Sequence, residues 1–217
     1  MTSCRLETFV SIGDTFFILF DALMLDKNHL ATIGARHKAY AAARHQVIQL
    51  ASVAQGASKR AIFALHRADA GETTRLLDEA GEALRAIQQL ATTTEGIDEE
   101  GSYRAALEEY AEAALYRDFV TTGKVSALAD LPVTISDDAY LGGLSDLTGE
   151  LQRRQVRAAT EGRMEEVQRS KEVIGEIVET LLAMDLGGYL RTKFDQSRNS
   201  LRRAEEVLYE MTLRNRS

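Results

Sequence analysis

Residues 98–122 read DEEGSYRAALEEYAEAALYRDFVTT, and residues 138–160 read DAYLGGLSDLTGELQRRQVRAAT. In the first, Tyr103, Leu107, Tyr110 and Ala114 recur every three or four positions, and in the second Leu141, Leu144, Leu147 and Leu151 do the same. That period puts the apolar groups on one stripe of a helix, whereas a strand would need strict alternation. Both stretches therefore read as amphipathic helices, and the pattern extends in both directions along the chain.

Working outward, the same period predicts seven helices: about 5–24, 27–69, 72–92, 98–122, 138–160, 163–185 and 188–214. The second is unusually long, carried by Ile33, Tyr40, Val47, Leu50, Val53, Ile62 and Leu65, with Gly71 as its expected stop and Glu72 as an acid in the next first turn. The clearest non-helical stretch is Thr121–Ile135, which holds Gly123 and Pro132; Ser136, Asp137 and Asp138 follow it as an N-cap cluster. Gly187 and Gly188 mark the last break. One proline, no tryptophan and no internal repeat across 217 residues agree with an all-α fold, a single seven-helix bundle. Residues 26–217 form the expected helical domain, with residues 1–25 as an apolar helix or extension of unknown role.

The formal net charge is −7, which disfavours a small module coated in positive charge but leaves room for basic residues gathered on one face. Cys4 is the only cysteine, so no intrachain disulfide forms, and a reducing compartment is expected. Residues 9–25, FVSIGDTFFILFDALML, look membranous, yet Asp14 and Asp21 interrupt them and TFFILF is far short of the roughly 18–20 residues that span a bilayer. They read as a packing helix rather than an anchor or a signal peptide, and the expected location is the cytoplasm without membrane association.

The chemistry-bearing residues sit on the two helices quoted first. Glu109 and Glu112 are three apart and share a face. At about 100° per residue Glu112 lies about 300° from Glu109, while the apolar stripe lies about 100–160° from it, so the pair is expected at the flank of that stripe or beyond. Asp146 and Glu150 repeat the arrangement at i,i+4, and Arg153 and Arg157 continue their strip. If the two helices pack side by side, the four acids converge. Like charges about 4 Å apart repel by roughly 4 kcal/mol at an effective dielectric of 20, so such a cluster holds protons or a divalent cation. Oxygen-only ligands suit Mg²⁺ or Mn²⁺. On spacing alone, however, the same acids read as solvated surface charge, with Glu150 paired to Arg153 or Arg154. His37 and His45 read as ordinary surface residues.

At these motifs the chain resembles a known family. Leu141-Gly-Gly-Leu-Ser-Asp146-Leu-Thr-Gly-Glu150-Leu-Gln-Arg153 and Glu109-Tyr-Ala-Glu112-Ala are similar to motifs of the translin family, in the same order along the chain. Ser58-Lys-Arg-Ala-Ile-Phe-Ala-Leu-His-Arg67 resembles its first-helix motif, and Arg202-Arg-Ala-Glu-Glu-Val-Leu-Tyr209-Glu-Met-Thr-Leu-Arg214 its last helix. The resemblance covers about residue 30 to the end and is strongest to the family's catalytic subunit type, translin-associated factor X. It implies a seven-helix bundle assembled into an octamer-like barrel, either homomeric or shared with a translin-type subunit. It also implies a Mg²⁺-dependent endoribonuclease acting on single-stranded RNA, with Glu109, Glu112 and Asp146 as catalytic metal ligands and Glu150 as a fourth acid. Duplex RNA and single-stranded DNA are further ligands that the resemblance allows. Arg153, Arg154 and Arg157 are the better candidates for RNA contact; Lys59, Arg60, His66 and Arg67 match a family motif that serves contact or packing.

Three rivals remain at this level. The first is the same fold binding nucleic acid without cutting it. A ferritin-like di-iron bundle also uses carboxylates on packed helices, but no histidine here has a glutamate three residues before it. A scaffold with merely solvated acids is the third.

Overall fold

The computed structural model describes residues 25–214, and among them the chain forms six α-helices, two short 3₁₀ turns and no strand. The helices are α1 (Lys27–His66), α2 (Ala70–Ala91), α3 (Gly101–Thr122), α4 (Asp137–Thr160), α5 (Met164–Ala183) and α6 (Gly188–Arg214). These are six of the seven helices read from the sequence; the first, at 5–24, lies outside the described residues. The chain divides between His37 and Lys38, and the core and the site below belong to the unit Lys38–Ser217.

α1 runs for 40 residues, but its buried face differs from the expected one. Val47, Ile62 and Leu65 are buried, whereas Ile33 and Val53 are exposed. Alanines 43, 51, 54, 57, 61 and 64 supply most of the buried face. With alanine at most of these positions, the helix buries little bulk for its length. Tyr40 and Arg44 both donate to Glu100, at 2.6 and 2.9 Å, and Gln55 donates to the Ser102 carbonyl at 3.1 Å. These bonds pin α1 along the start of α3.

The turn after α1 also departs from expectation. Ala68, not Gly71, takes the left-handed conformation (φ 59°), and Gly71 falls inside the first turn of α2. Asp69 explains the shift: its side chain accepts from the Glu72 N–H at 3.0 Å and so caps α2 two residues earlier than expected. The start of α3 moves the other way. Residues 97–99 form a 3₁₀ turn, and the helix proper begins at Gly101.

The 123–136 connection behaves as its composition suggests. Gly123 (φ 73°) closes α3, donating to the Phe119 carbonyl at 2.8 Å. Only glycine adopts that conformation without strain. Ser136 opens α4 by accepting from the Ala139 N–H at 3.3 Å.

α4 is the hub, packing against α3, α5 and α6. Gln155 is fully buried at this junction and donates to the carbonyls of Val167 on α5 and Ala204 on α6, at 3.1 and 3.0 Å. One amide thus ties three helices together. Gln155→Leu is expected to lower stability by about 1–2 kcal/mol, read from the urea midpoint. An unchanged midpoint would show that these bonds contribute nothing net.

α3 is buried around its whole circumference from Tyr110 to Tyr116. It packs against α2 and α4 and is bonded to α1, so every face meets protein. Helices that are enclosed in this way lose the simple one-stripe pattern.

Candidate active site

The α3–α4 contact is unusually close, and two glycines make it so. A Cβ on Gly143 would lie 2.7 Å from the Ala111 Cβ, 2.8 Å from the Glu108 carbonyl oxygen and 2.8 Å from the Glu112 amide nitrogen. Two of these three are backbone atoms of α3, so no larger residue fits without parting the helices. A Cβ on Gly142 would meet the Glu108 carboxylate at 2.2 Å. The pair of glycines therefore lets α4 lie against the stretch of α3 that carries Glu108, Glu109 and Glu112.

Asp146 and Glu150 follow on the next turns of α4, and their charges, with that of Glu109, all bear on Glu112. Glu112 is only 9% exposed, and among the described residues its carboxyl makes no hydrogen bond or ion pair. Burial and then the charges of Asp146, Glu109 and Glu150 push its pKa up to about 9, against a weaker pull from Lys193. At neutral pH, without a compensating cation, Glu112 is protonated. Glu112 was expected at the flank of the core stripe or beyond it, and it lies inside instead, because α3 has no solvent-facing side there.

Glu109 and Asp146 sit closer to the surface. Burial raises the Glu109 carboxyl, opposed by Lys59, whose Nζ lies 3.5 Å from Oε2. Burial also raises Asp146, opposed by the Lys193 ammonium 2.5 Å from Oδ2. Lys193 reaches in from α6 and also meets Glu108 Oε1 at 2.6 Å, while Tyr189 donates to that same oxygen at 2.7 Å. Burial pulls Lys193 down, but its bonds to Asp146, Glu108 and Tyr189 outweigh that and hold it above the usual lysine range.

Glu150 closes the far end of the row. His66 Nε2 bonds its Oε2, and His66 Nδ1 lies 3.1 Å from the Tyr116 hydroxyl. Arg153 lies 3.9 Å from Glu150, and its guanidinium sits 5.3 Å from the exposed Phe63 ring. A polar pocket beside them is lined by His66, Arg154, Arg157 and Arg163 together with Glu161. Arg157 bonds the His66 carbonyl and Glu161, while Arg154 pairs with Glu166 at 2.7 Å.

Of the seven residues expected to contact RNA, four gather at this end: His66, Arg153, Arg154 and Arg157. Lys59 belongs with Glu109 instead. Arg60 pairs with Glu79 on α2 at 3.0 Å, and Arg67 is exposed in the turn after α1.

With this geometry in view, known proteins give it a context. The model described as "Translin family" matches residues 42–215. The chain belongs to the translin family. Among solved structures it is similar to "Structure of AfC3PO - duplex RNA complex", with a TM-score of 0.77 at 23% identity, covering 85% of this chain and 97% of that one. It is also similar to "Crystal structure of apo-NeC3PO", with a TM-score of 0.76 at 18% identity, covering 87% and 98% respectively. At these identities the likeness shows the fold. A comparison with curated proteins finds no match.

Within this translin fold the donor set suits a hard divalent cation. It consists of carboxylate oxygens, and it includes the buried Glu112 carboxyl that no described residue partners. As the side chains stand, no three acidic, histidine or cysteine groups among the described residues are set as closely as a metal shell requires. Lys193 holds Asp146 and Glu108 on its own ammonium, while Glu150 is bonded to His66 and Glu109 lies beside Lys59.

Sequence reasoning missed Lys193, Glu108 and Tyr189. Glu108 is i,i+4 with Glu112 and so shares its face, a spacing that could have found it. Lys193 and Tyr189 are i,i+4 at the start of α6, a pattern common on any amphipathic helix.

Proposed function

We propose that this chain is a divalent-metal-dependent endoribonuclease of the translin-associated factor X type, acting on single-stranded RNA within an oligomeric barrel. The observation that carries the reading is Glu112: a buried carboxyl without a partner, facing the charges of Asp146, Glu109 and Glu150. Natural chains do not keep such a group for stability, because burying it near like charge is costly.

Glu109, Glu112 and Asp146 would hold Mg²⁺, or Mn²⁺ in its place. A bound ion supplies a water of lowered pKa and polarises the phosphodiester. The chain's own groups do the rest. Glu150, held in place by His66 and through it by Tyr116, would orient such a water and take up its proton. Arg153 and Arg157 are exposed at the same end and hold the flanking phosphates, and the Phe63 ring under Arg153 offers a base a stacking surface.

The similar AfC3PO structure is a complex with duplex RNA, which supports RNA as the ligand class. Exposed apolar side chains along α1, among them Ile48 and Val53, support burial against further subunits, either copies of this chain or a translin-type partner.

Labelled single- and double-stranded RNA incubated with the purified protein would test this. Cleavage of the single strand with Mg²⁺ or Mn²⁺, abolished by excess EDTA, is expected. Equal cleavage in EDTA would reject the metal reading. A second reading, RNA binding without cleavage, draws on Lys193, which already offsets two of the carboxylates. Retention of RNA with no cutting in either metal would favour it.

A further inference from the structure

Asp146 faces an internal cation. The Lys193 ammonium lies 2.5 Å from Asp146 Oδ2 and 2.6 Å from Glu108 Oε1, and its side chain is 14% exposed. Its position is built rather than incidental. One turn before it, Tyr189 donates to Glu108 at 2.7 Å, and the Tyr189 ring centroid sits 5.4 Å from the ammonium. One turn after it, Ser197 donates to the Ser145 carbonyl at 3.2 Å, fixing α6 against α4 beside Asp146. Glu112, by contrast, gains no bond from this lysine or from any other described residue.

Resting on the metal reading above, we infer that Lys193 is the resident counter-ion of the carboxylate cluster and competes with a divalent cation for Asp146. One carboxylate oxygen does not hold a desolvated ammonium and a divalent ion together, because the two cations repel strongly at such separations. An ion on Asp146 Oδ1 would still lie within a few Å of that ammonium, so loading the cluster is opposed for as long as Lys193 stays on Oδ2. Glu108 and Tyr189 give it somewhere to go, since the ammonium keeps both partners while releasing Oδ2. Glu108 is thus the docking partner of the displaced lysine and not a metal ligand. The consequence is a cluster that tolerates the metal-free state and binds a divalent ion less tightly than its four acids alone would.

The test titrates Mn²⁺ into the full-length chain and follows the free ion by electron paramagnetic resonance. Lys193→Met is expected to tighten Mn²⁺ binding by about tenfold or more, and Lys193→Arg, which keeps the charge, to stay within about threefold of wild type. Arg191→Met removes an equal charge two residues away, where Arg191 pairs at the surface with Asp195, and is expected to change affinity by less than about twofold. Mn²⁺ should also raise the unfolding temperature of Lys193→Met more than that of wild type. Lys193→Gln carries the same expectation if the methionine variant does not fold.

Unchanged or weaker Mn²⁺ affinity in Lys193→Met, with binding still lost in Glu112→Gln, would overturn the competition and leave the metal reading intact. Absence of Mn²⁺ binding in both wild type and Lys193→Met would overturn both. Tightened Mn²⁺ binding without any RNA cleavage would uphold the role of Lys193 and reject the nuclease.

Discussion

Glu112→Gln is expected to reduce metal-dependent RNA cleavage by about 10²–10³-fold or more while making the metal-free protein more stable at alkaline pH. The two effects have one origin. The folded carboxyl titrates at about 9 against an ordinary value of 4.5. Between those values the folded state holds a proton that the unfolded chain has lost, so stability falls as pH rises through this window. Above about 9 the penalty is fully present; below about 4.5 both states are protonated and it vanishes. Glutamine carries no such proton, so the advantage of the variant should grow from pH 5 to pH 9, reaching on the order of a few kcal/mol once relaxation around the site is allowed for. Urea midpoints of both proteins in EDTA, taken across that range, would measure it. Saturating Mg²⁺ should flatten the wild-type slope, since the ion replaces the proton. Parallel pH profiles for the two proteins would show that Glu112 is not the strained group described here.

Much of this was legible in the linear chain. The leucine stripe of 138–160 leaves Glu150 off the buried face and 3.9 Å from Arg153, whereas Asp146, on the same strip, meets Lys193 and Glu108 instead of an arginine. Glu112 was harder to place. A helical wheel assumes one wet side, and α3 has none at that level because helices cover it all round. Alanines carry the buried face of α1, and alanine has too weak a hydrophobic signal to reveal which face is buried. Lys193 left no trace at all. It is 47 residues from Asp146, on another helix, and only the tertiary fold makes the two neighbours. Gly142 and Gly143 stood in plain view as letters of a motif, but their meaning is a distance between backbones.

That distance supports the second large effect, in which three alanine substitutions on one helix diverge. Gly143→Ala is expected to cost about 2–3 kcal/mol, because its Cβ would sit 2.8 Å from the Glu108 carbonyl oxygen and the Glu112 amide nitrogen. Backbone cannot rotate aside as a side chain does, so α3 and α4 must separate, and this outweighs the roughly 1 kcal/mol by which alanine favours a helix over glycine. At Gly142 the obstacle is the Glu108 side chain, which can swing away. Gly142→Ala should therefore be milder in stability but should detach Glu108 from Lys193. Nothing lies within 4 Å of a Cβ at exposed Gly149, so Gly149→Ala should gain up to about 1 kcal/mol. Unfolding midpoints should thus rank Gly149→Ala above wild type, then Gly142→Ala, then Gly143→Ala. Cleavage should follow a sharper order, with Gly143→Ala losing about 10²-fold or more, because parting the helices moves Glu109 and Glu112 away from Asp146 and Glu150 together. If Gly143→Ala matched Gly149→Ala in both measurements, the close approach of α3 to α4 would not be what assembles the carboxylates.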